Sequence, residues 1–169
     1  MSEDVVLGKP VLNPSPKTKF ARTELEAAQH PLSIALMECW LDHEVSGGMR
    51  MGRDIPSRAL SKLLPHVLIT EPIGSWDDAR VRLAGTALIE RFGRDVAGAT
   101  VSQLYVSDPE GGKLLLRLGR RAVETRKPGL LDTRIFTYDI EAMHLEIVMF
   151  PIFSPDGEGV WNLVGAFKF

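Results

Sequence analysis

LDTRIFTYDIEAMHLEIVMFPIFSPDGEGVWNLVGAFKF, residues 131–169, has the clearest secondary-structure pattern in this chain. Apolar and polar residues alternate along it with the period of two that is typical of β-strands. The pattern predicts three strands, at residues 131–138, 144–152 and 160–169. Residues 139–142 join the first two strands, and Pro155-Asp156-Gly157 is a strong turn signal before the third. We therefore expect an antiparallel meander at the end of the chain.

A helix is predicted directly before this meander, from residue 109 to residue 124. Asp108 can cap its first turn, and Pro109 suits the first helical position. Lys127-Pro128-Gly129 ends it. Its apolar stripe consists of Leu114, Leu115, Leu118 and Val123.

A second pair of strands is predicted further upstream, at residues 67–70 and 80–84. A polar turn joins the two segments, so they are expected to form a hairpin. Thr86 is then positioned to cap a short helix at 87–92, which Gly93 would end. The element order is therefore helix, two strands, helices and three strands. This order predicts an α+β protein in which a five-stranded antiparallel sheet carries helices over one face.

Three regions are expected along the chain. Residues 1–22 are rich in proline and polar residues and are predicted to be a flexible tail. Residues 23–48 form a flanking helix region, whose helical pattern extends to Val45 and stops at Ser46-Gly47-Gly48. Residues 49–169 form the core of the domain.

Composition limits the possible functions. The chain has 169 residues and a net charge of −2, so general binding to nucleic acid is not expected. A single cysteine, Cys39, excludes an internal disulfide and fits a reducing compartment. No signal peptide and no apolar run long enough to span a membrane is found. We therefore expect a cytoplasmic protein.

The sequence resembles a bacterial family of stand-alone PAS domains that was formerly described as a domain of unknown function. The resemblance is carried by Ile55-Pro56-Ser57-Arg58, Leu63-Leu64-Pro65, Arg82-Leu83-Ala84-Gly85-Thr86, Phe92-Gly93-Arg94-Asp95 and Gly98, in this order, and covers roughly residues 32–168. It implies a five-stranded sheet that cups short helices around a small cavity. It also implies sensory signalling rather than catalysis, through a small ligand, a protein partner or both.

Two kinds of residue are candidates for a ligand pocket. Arg82 and Thr86 stand where a strand gives way to a helix and are expected either at a pocket rim or at a simple strand end. Apolar pocket candidates are Phe92, Leu104, Leu115, Leu118, Phe136, Met149 and Trp161. The alternative for each of these residues is ordinary core packing, which the sequence does not distinguish from pocket lining.

Cofactors known from PAS domains can be compared with the residue types present. The helix at 109–124 has no histidine for a haem, and Cys39 lies upstream of the first predicted strand, away from the position that a covalent flavin requires. Both cofactors are therefore disfavoured. The four histidines have no spacing typical of a metal site, and His144 and Glu146 are predicted on a solvated face of the sheet.

The flanking helix is a candidate surface for a homodimer or another protein partner. It carries Leu36, Met37, Trp40 and Leu41, and Trp and Met are enriched at the centres of interfaces. The alternative is that the same residues cover the protein's own sheet. Both alternatives stay open at this stage.

Two further functions are compared with the sensor hypothesis. One is a small cavity enzyme with the ketosteroid-isomerase-like fold, for which Asp132, Tyr138 and Glu146 are the candidate catalytic residues. The early strand pair favours the PAS arrangement, so we expect a protein that is not an enzyme. The other is a dimeric scaffold that binds no ligand.

Overall fold

A computed structural model describes residues 17–169 of the chain. The strands are β1 (Thr18–Glu24), β2 (Val67–Ile73), β3 (Asp78–Ala84), β4 (Gly129–Thr137), β5 (Ile140–Phe153) and β6 (Val160–Lys168). The α-helices are α1 (Pro31–Val45), α2 (Thr86–Phe92), α3 (Val101–Leu104) and α4 (Pro109–Thr125), and short 3-10 helices occupy Arg58–Leu60 and Leu64–His66. All strands belong to one antiparallel sheet in the order β1-β4-β5-β6-β2-β3. The predicted α+β class is confirmed.

The C-terminal meander is the centre of this sheet. β5 pairs with β4 on one side and with β6 on the other. The turn between β4 and β5 is shorter than the predicted loop at 139–142, because Tyr138 and Asp139 both adopt positive φ, at 53° and 63°. Two consecutive residues of this kind make a tight hairpin whose twist matches the flanking strands. The strands consequently extend further than the predicted segments.

Strand β1 is the main departure from the predicted fold. It pairs with β4 along its whole length, from Thr18 opposite Thr137 to Glu24 opposite Leu131. Residues 18–22 are therefore ordered in the sheet rather than part of a flexible tail, and residues 23 and 24 are strand rather than helix. The rest of the predicted tail, residues 1–16, lies outside the described residues. β1 satisfies the open hydrogen-bonding edge of β4 and makes the sheet six-stranded instead of five-stranded.

Helix α1 covers one face of the sheet. It begins at Pro31 because the His30 side chain accepts a hydrogen bond from the Leu32 amide at 3.0 Å. Its buried side, with Leu36 and Trp40, packs into the largest buried cluster of the protein. Trp40 Nε1 also donates to the Pro151 carbonyl at 2.8 Å. Helix α1, which is expected as an N-terminal flanking helix, therefore covers one face of the sheet on its own side.

The other three helices pack on the opposite face of the sheet. α4 begins at Pro109 with Asp108 as its cap, as predicted. α2 ends at Gly93, which has a φ of 81°, also as predicted. Thr86, however, is the first residue of α2 and does not cap it; Gly85 holds the cap position. Only glycine fits there, because a Cβ at residue 85 would collide with the Leu64 and Pro65 carbonyls.

Candidate functional site

A cavity of about 90 Å³ lies between the sheet and helices α2 and α4, with the connection between α3 and α4 beside them. We call it the main cavity. Its floor is the sheet face that points away from α1, and its roof comes from the helices. Most of its lining is apolar, as in typical small-molecule sites. The volume is well below the roughly 300–1,000 Å³ of pockets for drug-sized ligands, so the cavity suits a small molecule.

Cross-strand pairing builds the floor of the main cavity. Phe20 and Arg22 of β1 lie opposite Ile135 and Thr133 of β4, and Thr133 lies opposite Leu145 of β5. Residues that face each other across antiparallel strands point to the same side of the sheet, so these five side chains share one face. Their neighbours on this floor are Leu68, Leu131, Ile147, Val164 and Ala166.

Helical spacing builds the roof. Leu88, Arg91 and Phe92 line the cavity from α2, where positions i, i+3 and i+4 project from one side of a helix. Gly111 and Leu115 line it from α4 with the same four-residue spacing. Tyr105 and Asp108, from the connection between α3 and α4, complete the roof.

An ion pair joins the roof to the floor. Arg22 Nη2 donates a hydrogen bond to Asp108 Oδ2, and their side chains are only 18% and 7% exposed. Asp108 also caps α4, since its Oδ1 accepts from the Gly111 amide at 3.3 Å. The Arg22 guanidinium lies 4.3 Å from the centre of the Phe20 ring. These contacts hold both charged groups in fixed positions at the cavity.

A second arginine faces the cavity without a counter-ion. Within residues 17–169, no carboxylate lies within ion-pair distance of Arg91. Its guanidinium is partly buried, and this burial lowers the pKa of Arg91. Tyr105 lies close by. Burial raises the pKa of the Tyr105 hydroxyl to about 12, the negative charge of Asp108 adds to the increase, and Arg22 and Arg91 oppose it.

Thr133 adds a polar group to the apolar floor. The residue is 6% exposed, and its Oγ1 has no hydrogen-bond partner among the described residues. Buried hydroxyl groups in proteins are normally paired. An unpaired hydroxyl in the wall of a cavity is therefore a group that a ligand can satisfy.

A second cavity of about 40 Å³ adjoins the main cavity. The two share Leu68, Leu115 and Val164 in their linings. The wall of the second cavity contains Asn162, which is completely buried. Neither Asn162 Nδ2 nor Asn162 Oδ1 has a hydrogen-bond partner within the part of the chain that the structure describes. This amide is the most fully buried unpaired polar group next to a cavity.

The fold and its cavity agree with a comparison against protein-family models. A model described as a PAS domain matches residues 28–167. This chain belongs to the PAS domain family. It is accordingly a domain of the sensory and signalling type. No curated protein matches the chain.

Part of the site lies outside the segment that matches the PAS domain model. Phe20 and Arg22 belong to β1, which ends at Glu24, before the first matched residue. The edge strand thus adds an apolar ring and a paired arginine to the cavity of this PAS domain. Within residues 17–169, no helix is both long and apolar enough to cross a membrane.

The predicted pocket residues fall into three groups in the PAS domain. Phe92 and Leu115 line the main cavity, and Met149 together with Leu115 lines the second cavity. Leu104 and Leu118 are buried in the packing on the same side of the sheet. The remaining predicted residues, Arg82, Thr86, Phe136 and Trp161, line neither cavity.

The four predicted residues that line neither cavity make other contacts. Trp161 belongs to the core under α1, and the Arg82 guanidinium lies over its ring at 5.6 Å from the centre. Thr86 is exposed, and Phe136 lies opposite Lys19 on β1. A period of two shows which residues share a face of a strand, but not which face receives α1 and which receives the other helices.

The structure also places the predicted partner surface. Leu36 and Trp40 are 0% and 3% exposed inside the protein's own core, so they are not on a surface. Met37 is partly buried against the same core. Leu41 is 48% exposed and is the one residue of the four that projects clearly into solvent.

The candidates for an enzyme lie away from the cavities. Asp132 accepts a hydrogen bond from His144 Nε2 at 2.6 Å, and Tyr138 is 68% exposed in the β4–β5 turn. Glu146 is not solvated as predicted but completely buried. It accepts hydrogen bonds from the Gln29 and His30 amides, each at 3.0 Å, and so anchors the start of α1.

Sequence patterns missed Arg22, Arg91, Thr133 and Asn162. Each is a polar residue inside an element whose apolar neighbours carry the periodic signal, and none belongs to a known motif. A signal was available for Asp108, whose role as a helix cap was predicted but not its place in the cavity.

The described lining of both cavities contains no histidine or cysteine, so it offers neither the axial imidazole of a haem nor the thiol of a flavin adduct.

Proposed function

We propose that this PAS domain is a sensor that binds a small organic ligand in the main cavity and transmits the binding event to a partner. The observation that carries the proposal is the main cavity itself, in which an apolar wall surrounds a hydroxyl and an arginine that have no hydrogen-bond partner and no carboxylate partner, respectively, among residues 17–169. An ordinary core would close around apolar side chains and leave no polar group unsatisfied. In this proposal the protein is not an enzyme, and binding is its activity.

Transmission would pass through the elements that a ligand contacts on both sides of the cavity. A ligand in the main cavity would contact α2 and α4 in the roof and the strands of the floor. The Arg22–Asp108 ion pair connects the edge strand to the start of α4. A shift of α4 would therefore change the position of β1 and of any segment attached to it.

Native mass spectrometry of the purified protein, compared with its denatured mass, tests the proposal. We expect the native protein to carry an additional non-covalent mass that denaturation releases. Ala166→Leu should reduce the occupied fraction because Ala166 lines the main cavity. Ala142→Leu is the matched control, since Ala142 is exposed on β5. The proposal is wrong if the wild type carries no ligand and if a diverse set of small molecules leaves the amide chemical shifts of the cavity residues unchanged.

A second copy of the chain is the partner that we propose for α1. Ile34, Leu41 and Val45 are 40%, 48% and 90% exposed, and spacings of seven and four residues place them on one side of the helix. This apolar stripe lies away from buried Leu36 and Trp40. Analytical ultracentrifugation of the wild type and of Leu41→Glu tests it: a dimer that becomes a monomer supports the stripe. A dimer that survives both Leu41→Glu and Val45→Glu excludes it.

A further inference from the structure

The charges at the main cavity do not cancel. Arg22 and Arg91 each contribute one positive charge, and Asp108 contributes one negative charge. The lining formed by the described residues therefore carries a net charge of +1 at neutral pH. The charge of Arg22 is already compensated by Asp108, so Arg91 carries the excess. The cavity therefore favours an anion over a neutral molecule or a cation.

The surroundings of Arg91 favour an anionic ligand. The Arg91 guanidinium is partly buried on α2 and has no carboxylate partner within residues 17–169. A charge without a partner in an apolar environment destabilises the folded protein. A carboxylate would remove this cost, because its two oxygens match the planar guanidinium and accept two parallel hydrogen bonds.

Thr133 supplies a further polar contact in the same cavity. Its hydroxyl is buried and has no partner among the described residues, so it is free to donate to an anionic oxygen. It lies on the floor directly opposite Arg22. Apart from Arg22, the rest of the floor is formed by phenylalanine, leucine, isoleucine, valine and alanine side chains, which suit a compact apolar group.

The size of the cavity limits the rest of the ligand. About 90 Å³ is less than the roughly 150 Å³ of an engineered apolar cavity that binds benzene. We infer that the ligand is a small monocarboxylate with a compact apolar body, whose carboxylate pairs with Arg91 and accepts a hydrogen bond from Thr133. A single negative charge balances the lining, whereas a phosphate dianion would exceed it. This inference rests on the proposed ligand-binding function and names the chemical class of the ligand.

Three probes that differ in their charge or in their apolar body separate the alternatives. Isobutyrate has the carboxylate and a compact branched body, isobutanol has a similar body without the charge, and inorganic phosphate has charge without an apolar body. Titrations followed by amide chemical shifts should give isobutyrate an affinity at least roughly tenfold higher than that of isobutanol, as expected for hydrogen bonds to a charged group. Phosphate should not shift the cavity resonances.

Two variants connect the selectivity to the named residues. Arg91→Met approximates the length of the side chain and removes the charge, so isobutyrate should lose at least roughly tenfold in affinity while isobutanol changes little. Thr133→Val keeps the shape and removes the hydroxyl, and it should cause a smaller loss for isobutyrate. Arg94→Met is the control, because Arg94 is exposed and follows α2 without lining the cavity. Thermal melting of each variant establishes that it is folded.

Several results would overturn the inference. Equal affinity for isobutyrate and isobutanol, with no effect of Arg91→Met, would mean that the cavity binds apolar molecules without regard to charge. Shifts caused by phosphate but not by isobutyrate would mean an anion site without an apolar subsite. A native ligand that lacks a carboxylate would also contradict the inference, while it would support the proposed sensor. Absence of any ligand and any probe binding would instead reject both proposals.

Discussion

Arg22 on edge strand β1 pairs with Asp108, the residue that caps α4, and this contact ties the outermost strand to the longest helix. Both side chains are largely buried, so each charged group needs the other as its counter-ion. β1 precedes the segment that matches the PAS family. In this PAS domain, a strand that precedes the matched segment and its ion pair with Asp108 thus close one side of the main cavity.

Replacing one residue of the Arg22–Asp108 pair should lower the free energy of unfolding. Arg22→Met leaves the buried Asp108 carboxylate without a counter-ion, and we expect a loss of about 3 kcal/mol in the free energy of unfolding. The double variant Arg22→Met/Asp108→Asn should lose less than the sum of the single variants, because each single change already breaks the same contact. Urea denaturation measures all three.

Lys19→Met is the matched control for Arg22→Met on the same strand. The Lys19–Asp139 pair has a similar chemistry at 2.9 Å, but its side chains are 67% and 81% exposed. We expect Lys19→Met to change the free energy of unfolding by about 1 kcal/mol or less. Equal effects of Lys19→Met and Arg22→Met would show that burial does not strengthen the Arg22–Asp108 pair.

Gly111 should not tolerate a methyl group. Alanine normally stabilises a helix relative to glycine by about 1 kcal/mol. A Cβ at residue 111 would, however, collide with the Asp108 carboxylate and lie 2.7 Å from Arg22 Nη2. We expect Gly111→Ala to lower the free energy of unfolding by about 1–3 kcal/mol, as overpacking does. Lys113→Ala, at a position on the same helix that is 74% exposed, should stay within about 0.5 kcal/mol. A more stable Gly111→Ala protein would contradict the crowded geometry.

The sequence predicts the sheet far better than the site, and the reason is physical. Strands β4 to β6 repeat one alternating pattern, and many residues contribute to it at once. Thr133 interrupts that pattern in β4, and Arg22 likewise puts a polar side chain on the inner face of the sheet from β1. β1 has only one large apolar residue, Phe20, so residues 18–22 are predicted as part of a tail and residues 23 and 24 as part of the flanking helix region, although the open edge of β4 pairs with all seven.

The burial of α1 shows the same limit. An apolar stripe on a helix shows that one side is covered, but not by what. Leu36 and Trp40 are covered by the protein's own sheet, and this leaves the stripe with Leu41 and Val45 for a partner. The alternative of covering the protein's own sheet thus holds for Leu36 and Trp40, and the partner alternative is our proposal for the opposite side of the helix.

Two neighbouring residues of α1 should therefore respond very differently to truncation. Trp40→Ala removes a buried ring and its hydrogen bond to the Pro151 carbonyl, and we expect a loss of about 3–5 kcal/mol in the free energy of unfolding. Leu41→Ala should change it by about 0.5 kcal/mol or less in the monomer. Thermal denaturation at low protein concentration measures both. A mild effect of Trp40→Ala would contradict the packing of α1 on the sheet.

Asn162 should limit the stability of the protein. Asn162→Leu keeps the branched shape of the side chain and removes a fully buried amide that has no partner among the described residues. We expect the free energy of unfolding to rise by about 1–3 kcal/mol, which is the usual cost of a buried unpaired polar group. Asn162→Asp should have the opposite effect, because it buries a charge. If Asn162→Leu instead destabilises the protein, the amide has a polar partner in solution that the leucine cannot replace.

Stability at high pH should depend on Tyr105. Its pKa is raised from 10.0 to about 12 in the folded protein, mainly by burial. The unfolded chain therefore loses the tyrosine proton in a pH range where the folded protein still holds it. The contribution of Tyr105 is present in full below about pH 10 and declines as the pH rises toward 12, by at most about 3 kcal/mol. Urea denaturation of the wild type and of Tyr105→Phe at pH 9 and pH 11 measures the difference, and the decline attributable to Tyr105 should be absent from the variant.

In a Tyr138→Phe background, Tyr105 is the single remaining tyrosine, and its phenolate absorbance should stay low at pH 11. Full ionisation of Tyr105 at pH 10 in the folded protein would show that the hydroxyl is open to water and that the roof of the main cavity does not close over it.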